Sequence, residues 1–508
     1  MYYNNVIDYL ENSSKKYKNK IAVICEEEKI TYSNLNKFSL NVGSFFANNN
    51  IFNEPIIIFM DKGIDTLISF LGSAYAGCYY SLINPELPEN RIIQIKNVIK
   101  SKHVITNTEN FELAKKYFSE LNIYNISDIK EEKQNKKAIL KARRNHINYD
   151  PLYVNFTSGS TGIPKGVVIS HRSVIDFIDK YTTMFSFNDK DIIANQAPFD
   201  FDVSVKDIYS ALKVGATLVI VPKKYFSNPM MLLDYLVKNK ITTMTWAVSA
   251  LCLITTFHGL DYKVPRHVNK ILFSGEVMPI KHLKIWMKHL PNAMFVNIYG
   301  PTEITCNCTY HVIDRKRNYD DKIPIGVSFP NERVFLLDEN NNEIKETNKV
   351  GEICVCGTSL ALGYYENPEQ TNSHFVQNPN ITSYNELIYK TGDLAYYNED
   401  YELIFNGRKD FQIKYLGHRI ELEEIDKALL QFEEVIRSCT IFEEEKSKLY
   451  GFYIGNIDKK ELHSKLRKIL PVYMIPTSLI KMEEFPMTKN GKIDRKKLMQ
   501  IYKENIKW

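Results

Sequence analysis

The stretch Phe156-Thr-Ser-Gly-Ser-Thr-Gly-Ile-Pro-Lys-Gly166 follows an apolar, strand-like segment, Leu152 to Phe156. Its glycines let backbone N–H groups come close to an anion, its hydroxyls donate further hydrogen bonds, and Lys165 adds positive charge. A Gly/Ser-rich loop alone could be a flexible linker, but the Thr/Ser/Gly run with Pro-Lys-Gly reads as a phosphate cradle. It is not a Walker A loop: counting from Gly159, Pro164 takes a glycine's place and Gly166 replaces the Ser/Thr that would hold magnesium.

Outward from this loop, short apolar runs such as Pro55-Ile-Ile-Ile-Phe59, Thr217-Leu-Val-Ile-Val221 and Lys270-Ile-Leu-Phe273 read as buried strands. Helical patterns lie between them, for example Met230 to Val237 and Lys281 to Leu290. Alternation over the first ~320 residues predicts an α/β multidomain fold with parallel sheets. After Pro324 turn signals multiply, as in Leu336-Leu-Asp-Glu-Asn-Asn-Asn-Glu343, which predicts a β-rich subdomain. Beyond the polar turn Phe405 to Asp410 the pattern is strand, helix (Glu421 to Phe432), strand, strand, helix and a polar tail. The expected division is an N-terminal core over 1–406, a hinge over 407–411 and a mobile α+β domain over 412–508.

With 508 residues, two or more domains are expected. Hydrophobic residues are 44% and charged residues 25%, and 65 basic residues nearly balance 60 acidic ones, which gives no basis for nucleic-acid binding. The lysines from Lys130 to Lys141 read as a solvated surface loop. Thr66 to Ile83 carries no charge, yet its glycines, serines and tyrosines fit a buried helix breaking to a strand near Gly77 better than a membrane span. No cleavable leader pattern opens the chain, so a cytoplasmic protein without membrane insertion is expected. Eight cysteines include the pairs Cys306/Cys308 and Cys354/Cys356, each able to share a face if on a strand. No Cys-x-x-Cys or histidine cluster completes a zinc site, so they read as small apolar residues.

The phosphate loop resembles the signature of the adenylate-forming superfamily, which includes acyl-CoA synthetases, firefly-type luciferases and nonribosomal peptide synthetase adenylation domains. Six more stretches in order are similar to that family's motifs: Thr31-Tyr-Ser-Asn-Leu35, Tyr75-Ala-Gly-Cys-Tyr-Tyr-Ser-Leu-Ile-Asn-Pro85, Asn297-Ile-Tyr-Gly-Pro-Thr-Glu303, Tyr389-Lys-Thr-Gly-Asp393, Gly407-Arg-Lys-Asp410 and Pro486-Met-Thr-Lys-Asn-Gly-Lys-Ile-Asp-Arg495. The resemblance implies ATP and Mg²⁺ as cofactors. It puts Thr157, Ser158, Gly159, Ser160, Thr161 and Lys165 along the phosphates and Glu303 on the metal. Gly275, Glu276, Asn297, Gly300 and Thr302 would border the nucleotide, and Tyr299 would offer adenine its ring. Asp393 would accept the ribose hydroxyls, a role that suits an acceptor-only carboxylate, with Arg408 as a second contact. Lys492, with Thr157 and Glu303, would be catalytic. Asp410 matches the family's hinge, and Gly417 lies on the expected thiol-transfer face.

Phe199-Asp-Phe-Asp-Val-Ser204 is similar to the segment by which amino-acid-activating members hold an α-ammonium. A carboxylate there suits a cation and would be costly against an alkyl tail. Asp202 is that carboxylate, unless it caps a helix, a role open also to Ser204. Phe201 to Tyr209, Phe273 to Pro279 and Asn406 to Lys414 are most similar to D-alanine–D-alanyl carrier protein ligases. Two residues depart from that pattern: Ser274 stands for a cysteine, and Lys206 stands for an apolar residue. Lys206 either faces substrate, turns outward or pairs with Asp207. The rest of the implied lining is Val203, Ser249, Leu272, Ile298, Cys306 and Asn307, which tilts the pocket toward a small or polar amino acid. With no fused carrier segment before Trp508, the resemblance implies a monomer acting on a separate carrier protein's phosphopantetheine thiol. An acyl- or aryl-CoA ligase and a non-catalytic nucleotide-binding relative are the alternatives left open.

Overall fold

The computed structural model describes residues 3–159, 162–319, 322–487 and 493–505. The chain divides into two units. The larger comprises Met1–Pro85, Val98–Phe156 and Gly166–Lys409; the smaller comprises Glu86–Asn97, Thr157–Lys165 and Asp410–Trp508. The phosphate loop therefore groups with the C-terminal segment, which the sequence division at 406 did not anticipate.

The larger unit holds two α/β sheets and one antiparallel sheet, the architecture the strand-helix alternation predicts. Pro55–Phe59 is buried at every position and pairs in parallel with Tyr79–Leu82 and His103–Thr106. A strand covered on both faces has no solvent side to alternate with, so it reads as an unbroken apolar run. The uncharged stretch resolves into the helix Ile64–Tyr75 and the strand Tyr79–Leu82, with Gly77 at φ +70° between them. No helix among the described residues is long and apolar enough to cross a membrane.

The second sheet has nine strands and positions most of the candidate residues. Ile192–Asn195, Thr243–Ala247, Lys270–Ser274 and Met294–Tyr299 run in parallel at its centre. Leu272, Val296 and Ile298 join one buried apolar cluster, while Ile271, Phe273 and Phe295 join another, as period-two alternation requires. Asn195, Ala247, Ser274 and Tyr299 thus end four parallel strands at one edge, where α/β sheets bind ligands.

Glu332–Leu337, Gly351–Gly357, Leu387–Tyr397 and Leu403–Arg408 belong to the six-stranded antiparallel sheet. Val327–Ser328, inside the region read as β-rich, instead extends the nine-stranded sheet through Thr309–Val312. The lysine-rich segment departs from a loop: Lys136–Arg143 is a helix capped by Asn135 and buries Ile139, and Lys130 pairs with Asp65. Cys306 lies outside any strand at φ +76°, so it and Cys308 do not share a strand face.

In the smaller unit the hairpin Gln412–Tyr415 and His418–Glu421 precedes the helix Leu422–Leu429. Val435–Glu443, Lys448–Gly455 and Ser478–Lys481 form a three-stranded sheet. The third strand, and the helix Arg495–Asn505 in the supposed polar tail, were missed. Four basic side chains in that helix mask a buried Leu498, which packs beside Cys439, Phe452 and Phe485.

Candidate active site

In the larger unit, the helix Val203–Val214 begins at Asp202 and ends on Gly215 in the left-handed conformation that glycine adopts readily. Asp202 occupies the N-cap position, but its side chain makes no cap hydrogen bond. Ser204 donates its hydroxyl back to the Phe201 carbonyl at 2.7 Å. Residues 202 and 206 are four apart, so they lie on one helix face.

Lys206 is fully buried. Its ammonium donates to Asn307 Oδ1 at 2.8 Å and reaches Ser274 Oγ at 3.5 Å. It therefore neither turns outward nor forms a close pair with Asp207. Burial pulls its pKa below the usual lysine value, opposed by Cys306, Asp202 and Asp207. The Cys306 thiol donates to the Asp202 carbonyl at 3.1 Å, and burial raises that thiol well above its ordinary pKa. Leu272 and Ile298 are buried on the same sheet face, while Val203 and Ser249 are half-buried.

The segment carrying Asn307 is held against Gly300. A Cβ there would sit 2.5 Å from Asn307 Cα and 2.9 Å from both the Cys306 carbonyl oxygen and the Cys308 nitrogen. All three are backbone atoms, so only a residue without a side chain lets the segment double back. Asp207, next to Lys206, faces a different set of groups. Asn195 donates to its Oδ2 at 3.0 Å, Lys62 lies 3.5 Å from Asn195 Oδ1, and burial pushes the Asp207 carboxyl up to about 7. The sequence reading missed this network, because Lys62 and Asn195 belong to none of the motifs.

The acidic residues of the later motifs are buried and held by tyrosines. Glu303 is fully buried, and Tyr364 donates to its Oε1 at 2.8 Å. Asp393, 1% exposed, accepts from Tyr299 at 2.5 Å and from Arg408. Burial, reinforced by Asp393, keeps the Tyr299 phenol well above its usual pKa and hence a donor. Asn297 donates to the Pro324 carbonyl, and Glu276 accepts from Ser249 N in the first turn of Val248–Thr256. Both serve the scaffold in this arrangement. Gly275, at φ +92°, has open space where a side chain would be, and Thr302 begins a short 3-10 turn. Tyr364 was invisible to motif reading, since it lies 61 residues from the carboxylate it serves.

In the smaller unit, Ser158 donates to the Arg419 carbonyl at 2.7 Å, and buried Lys165 lies 3.9 Å from Glu421. The buried Thr157 hydroxyl has no hydrogen-bond partner among the described residues. Gly159 has the Ile163 carbonyl 2.2 Å from any added Cβ. Asp410 begins this unit's C-terminal segment and accepts from Gln412 N, and Gly417 turns the hairpin at φ +80°. Ser160, Thr161 and Lys492 lie outside the described residues.

Among the described residues no group of three or more His, Cys, Asp or Glu could hold a metal. One hard carboxylate such as Glu303 fits Mg²⁺, which takes few protein ligands when substrate phosphates supply the others.

Parallel strands with helices between them, and the candidate residues Ser274 and Tyr299 at their ends, define an α/β protein. Residues 10–365 match the model of the AMP-binding enzyme family, and the chain belongs to that family. It is 30% identical to D-alanine–D-alanyl carrier protein ligase of Staphylococcus haemolyticus (strain JCSC1435) over 98% of this chain and 99% of that one. It is 32% identical to bacitracin synthase 1 of Bacillus licheniformis over 97% of its own length, but spans 9% of that protein. The solved Vibrio cholerae adenylation domain AlmE, in complex with glycyl-adenosine-5'-phosphate, superposes with a TM-score of 0.84, covering 99% of this chain and 98% of that one. At 19% identity the last likeness concerns the fold alone.

Proposed function

We propose that the chain is an AMP-forming ligase that activates an amino acid with ATP and passes the aminoacyl group to the phosphopantetheine thiol of a carrier protein. In the first step the substrate carboxylate oxygen bonds to the α-phosphorus of ATP and the bond to pyrophosphate breaks. In the second, a thiolate sulfur attacks the acyl carbon, a thioester forms and AMP leaves. Two anions must meet in the first step, so the site has to supply fixed donors and positive charge.

The observation that carries the amino-acid reading is the convergence of three segments: the helix with Asp202 at its start and Lys206 one turn on, and the segments of Ser274 and Asn307 that meet the Lys206 ammonium. A carboxylate there matches an α-ammonium and would be costly beside a fatty chain. Asp393, with Arg408, is assigned to the ribose, and Thr157, Ser158 and Lys165 to the phosphates. Glu303 is assigned to Mg²⁺, which neutralises charge on phosphate oxygens when bound. Lys492 is assigned from its motif to the adenylation step, and Asp410 to the pivot. The small and polar lining, Ser249, Ser274 and Asn307, supports a small or polar substrate. Similarity to D-alanine–D-alanyl carrier protein ligase along the full chain supports a carrier-protein acceptor.

Pyrophosphate exchange tests the reading. Amino acids should drive ATP–pyrophosphate exchange while fatty and aryl acids give background. Exchange with aryl or fatty acids alone would replace the assignment by a CoA ligase, and exchange with no acid would remove the activity. Lys492→Ala should abolish exchange yet spare thioester formation from synthetic aminoacyl-adenylate; equal loss of both steps would count against its role.

A further inference from the structure

Resting on the assignment of Glu303 to Mg²⁺, we propose that Thr305 is a positioning residue for that carboxylate, acting through its side-chain hydroxyl.

Thr305 is fully buried and sits at φ +55° and ψ +72°, in the left-handed region. A β-branched residue is an outlier there, and glycine or asparagine would adopt the same backbone at lower cost. Strained residues of this kind persist where surrounding contacts over-determine them, and they gather at functional sites. What threonine brings to such a position, and glycine does not, is a hydroxyl. That hydroxyl donates to the Ser359 carbonyl at 2.6 Å.

The contact is one of three by which residues 359–364 grip the turn that carries Glu303. Ala361 N donates to the Glu303 carbonyl at 2.8 Å, and Tyr364 donates to the Glu303 carboxylate at 2.8 Å. One segment thus holds the glutamate's backbone, its side chain and the residue two places on. The segment is itself pinned: Ser173 donates to the Leu360 carbonyl at 3.0 Å, Ser359 donates to Glu332, and Thr358 donates to Asp176. A turn tethered only at Glu303 could still pivot about that residue. The Thr305 hydroxyl supplies the second anchor that stops it. Such fixing matters for Mg²⁺, which demands near-ideal octahedral geometry and takes few protein ligands.

The test compares Thr305→Val, which keeps the branched shape and removes the hydroxyl, with Thr305→Ser, which keeps the hydroxyl. Titration calorimetry on the full chain with α,β-methylene-ATP, with and without MgCl₂, reads the gain in affinity that Mg²⁺ brings. Pyrophosphate exchange with the parent's best amino acid reads the Mg²⁺ concentration for half-maximal rate. Thr305→Val should shrink the first and raise the second by about five- to tenfold, the scale of one lost hydrogen bond. Thr305→Ser should stay within about twofold of the parent in both. A melting temperature lowered by Thr305→Val with both Mg²⁺ readouts unmoved would overturn the proposal, since a merely structural threonine would behave so. Thr305→Ser matching Thr305→Val would overturn it too, because the hydroxyl would then not be the operative group. If Thr305→Val does not fold, Thr305→Gly, whose backbone suits the left-handed turn, should show the same shifts. An unmoved Mg²⁺ dependence in that variant would again overturn the proposal. A parent without exchange on any acid would remove the amino-acid reading and leave calorimetry to decide the role of Thr305. A parent in which Mg²⁺ brings no gain in affinity would overturn the Glu303 assignment together with this one.

Discussion

Tyr364 donates its hydroxyl to Glu303 at 2.8 Å across 61 residues of chain, and the carboxylate it holds is wholly buried. A buried carboxylate is tolerated only when donors or a cation satisfy it. The tyrosine therefore fixes the one oxygen donor assigned to Mg²⁺ before any metal arrives.

Tyr364→Phe should remove that donor and leave the rest of the ring in place. The loss of a buried hydrogen bond of this kind costs about 1–3 kcal/mol. A lower melting temperature and a higher Mg²⁺ concentration for half-maximal exchange are expected. A variant with an unchanged Mg²⁺ curve would separate Tyr364 from the metal assignment.

Gly300→Ala should be costly for a different reason. The added methyl would meet Asn307 Cα at 2.5 Å and two further backbone atoms at 2.9 Å, and none of these can rotate away. Overpacking at a rigid contact costs typically ~1–3 kcal/mol. Because the displaced segment carries Asn307, KM for the amino acid should rise by more than KM for ATP. Calorimetric melts and exchange kinetics read the two effects separately; an equal rise in both KM values would show that the segment does not bear on specificity.

Much of this fold was legible in the sequence because parallel strands leave a strong mark. Runs such as Ile56 to Ile58 are buried on both faces and cannot carry polar residues. The candidate residues were legible as motif letters, but their partners were not. Glu303 could be picked out, while Tyr364 could not, since a hydrogen bond between distant segments has no local pattern. Lys206 was ambiguous in the sequence among substrate, solvent and Asp207, because only the fold decides which way a helical side chain leaves its face. The helix Arg495–Asn505 was taken for a polar tail because Arg495, Lys496, Lys497 and Lys503 outweigh its thin apolar stripe. The phosphate loop's grouping with the C-terminal segment was likewise hidden, as Ser158 bonds to a backbone carbonyl that any residue at 419 would offer.

Asp207→Asn should reveal a pH-dependent cost. Burial pushes the Asp207 carboxyl from an ordinary 3.8 to about 7 in the folded chain. Between those values the folded state keeps a proton that the unfolded state releases, so the Asp207 contribution to stability falls as pH rises. It is intact below the unfolded value and fully lost above about 7. Asparagine can still accept from Asn195 but does not titrate. The variant should therefore gain on the parent in melting temperature between pH 5 and pH 8. A difference that stays constant across that window would place the Asp207 pKa near its ordinary value.

Arg408→Ala should weaken nucleotide binding through Asp393 as well as directly. Asp393 is 1% exposed and accepts from both Tyr299 and Arg408, so removing the guanidinium leaves its charge, among the described residues, with the neutral Tyr299 hydroxyl. Breaking a buried pair costs about 3–5 kcal/mol, more than the net worth of the pair, because the abandoned charge stays desolvated. Asp393→Asn removes that charge and should be milder in stability while still raising KM for ATP. The double variant decides how the effects divide. If Arg408 acts by neutralising Asp393, the melting-temperature losses should fall well short of additivity, since each single change removes the same interaction. Additive losses would mean that Arg408 stabilises the fold independently of the carboxylate. KM for ATP should follow the opposite logic: Asp393→Asn exchanges one of the two acceptor oxygens assigned to the ribose for a donor whether or not Arg408 is present.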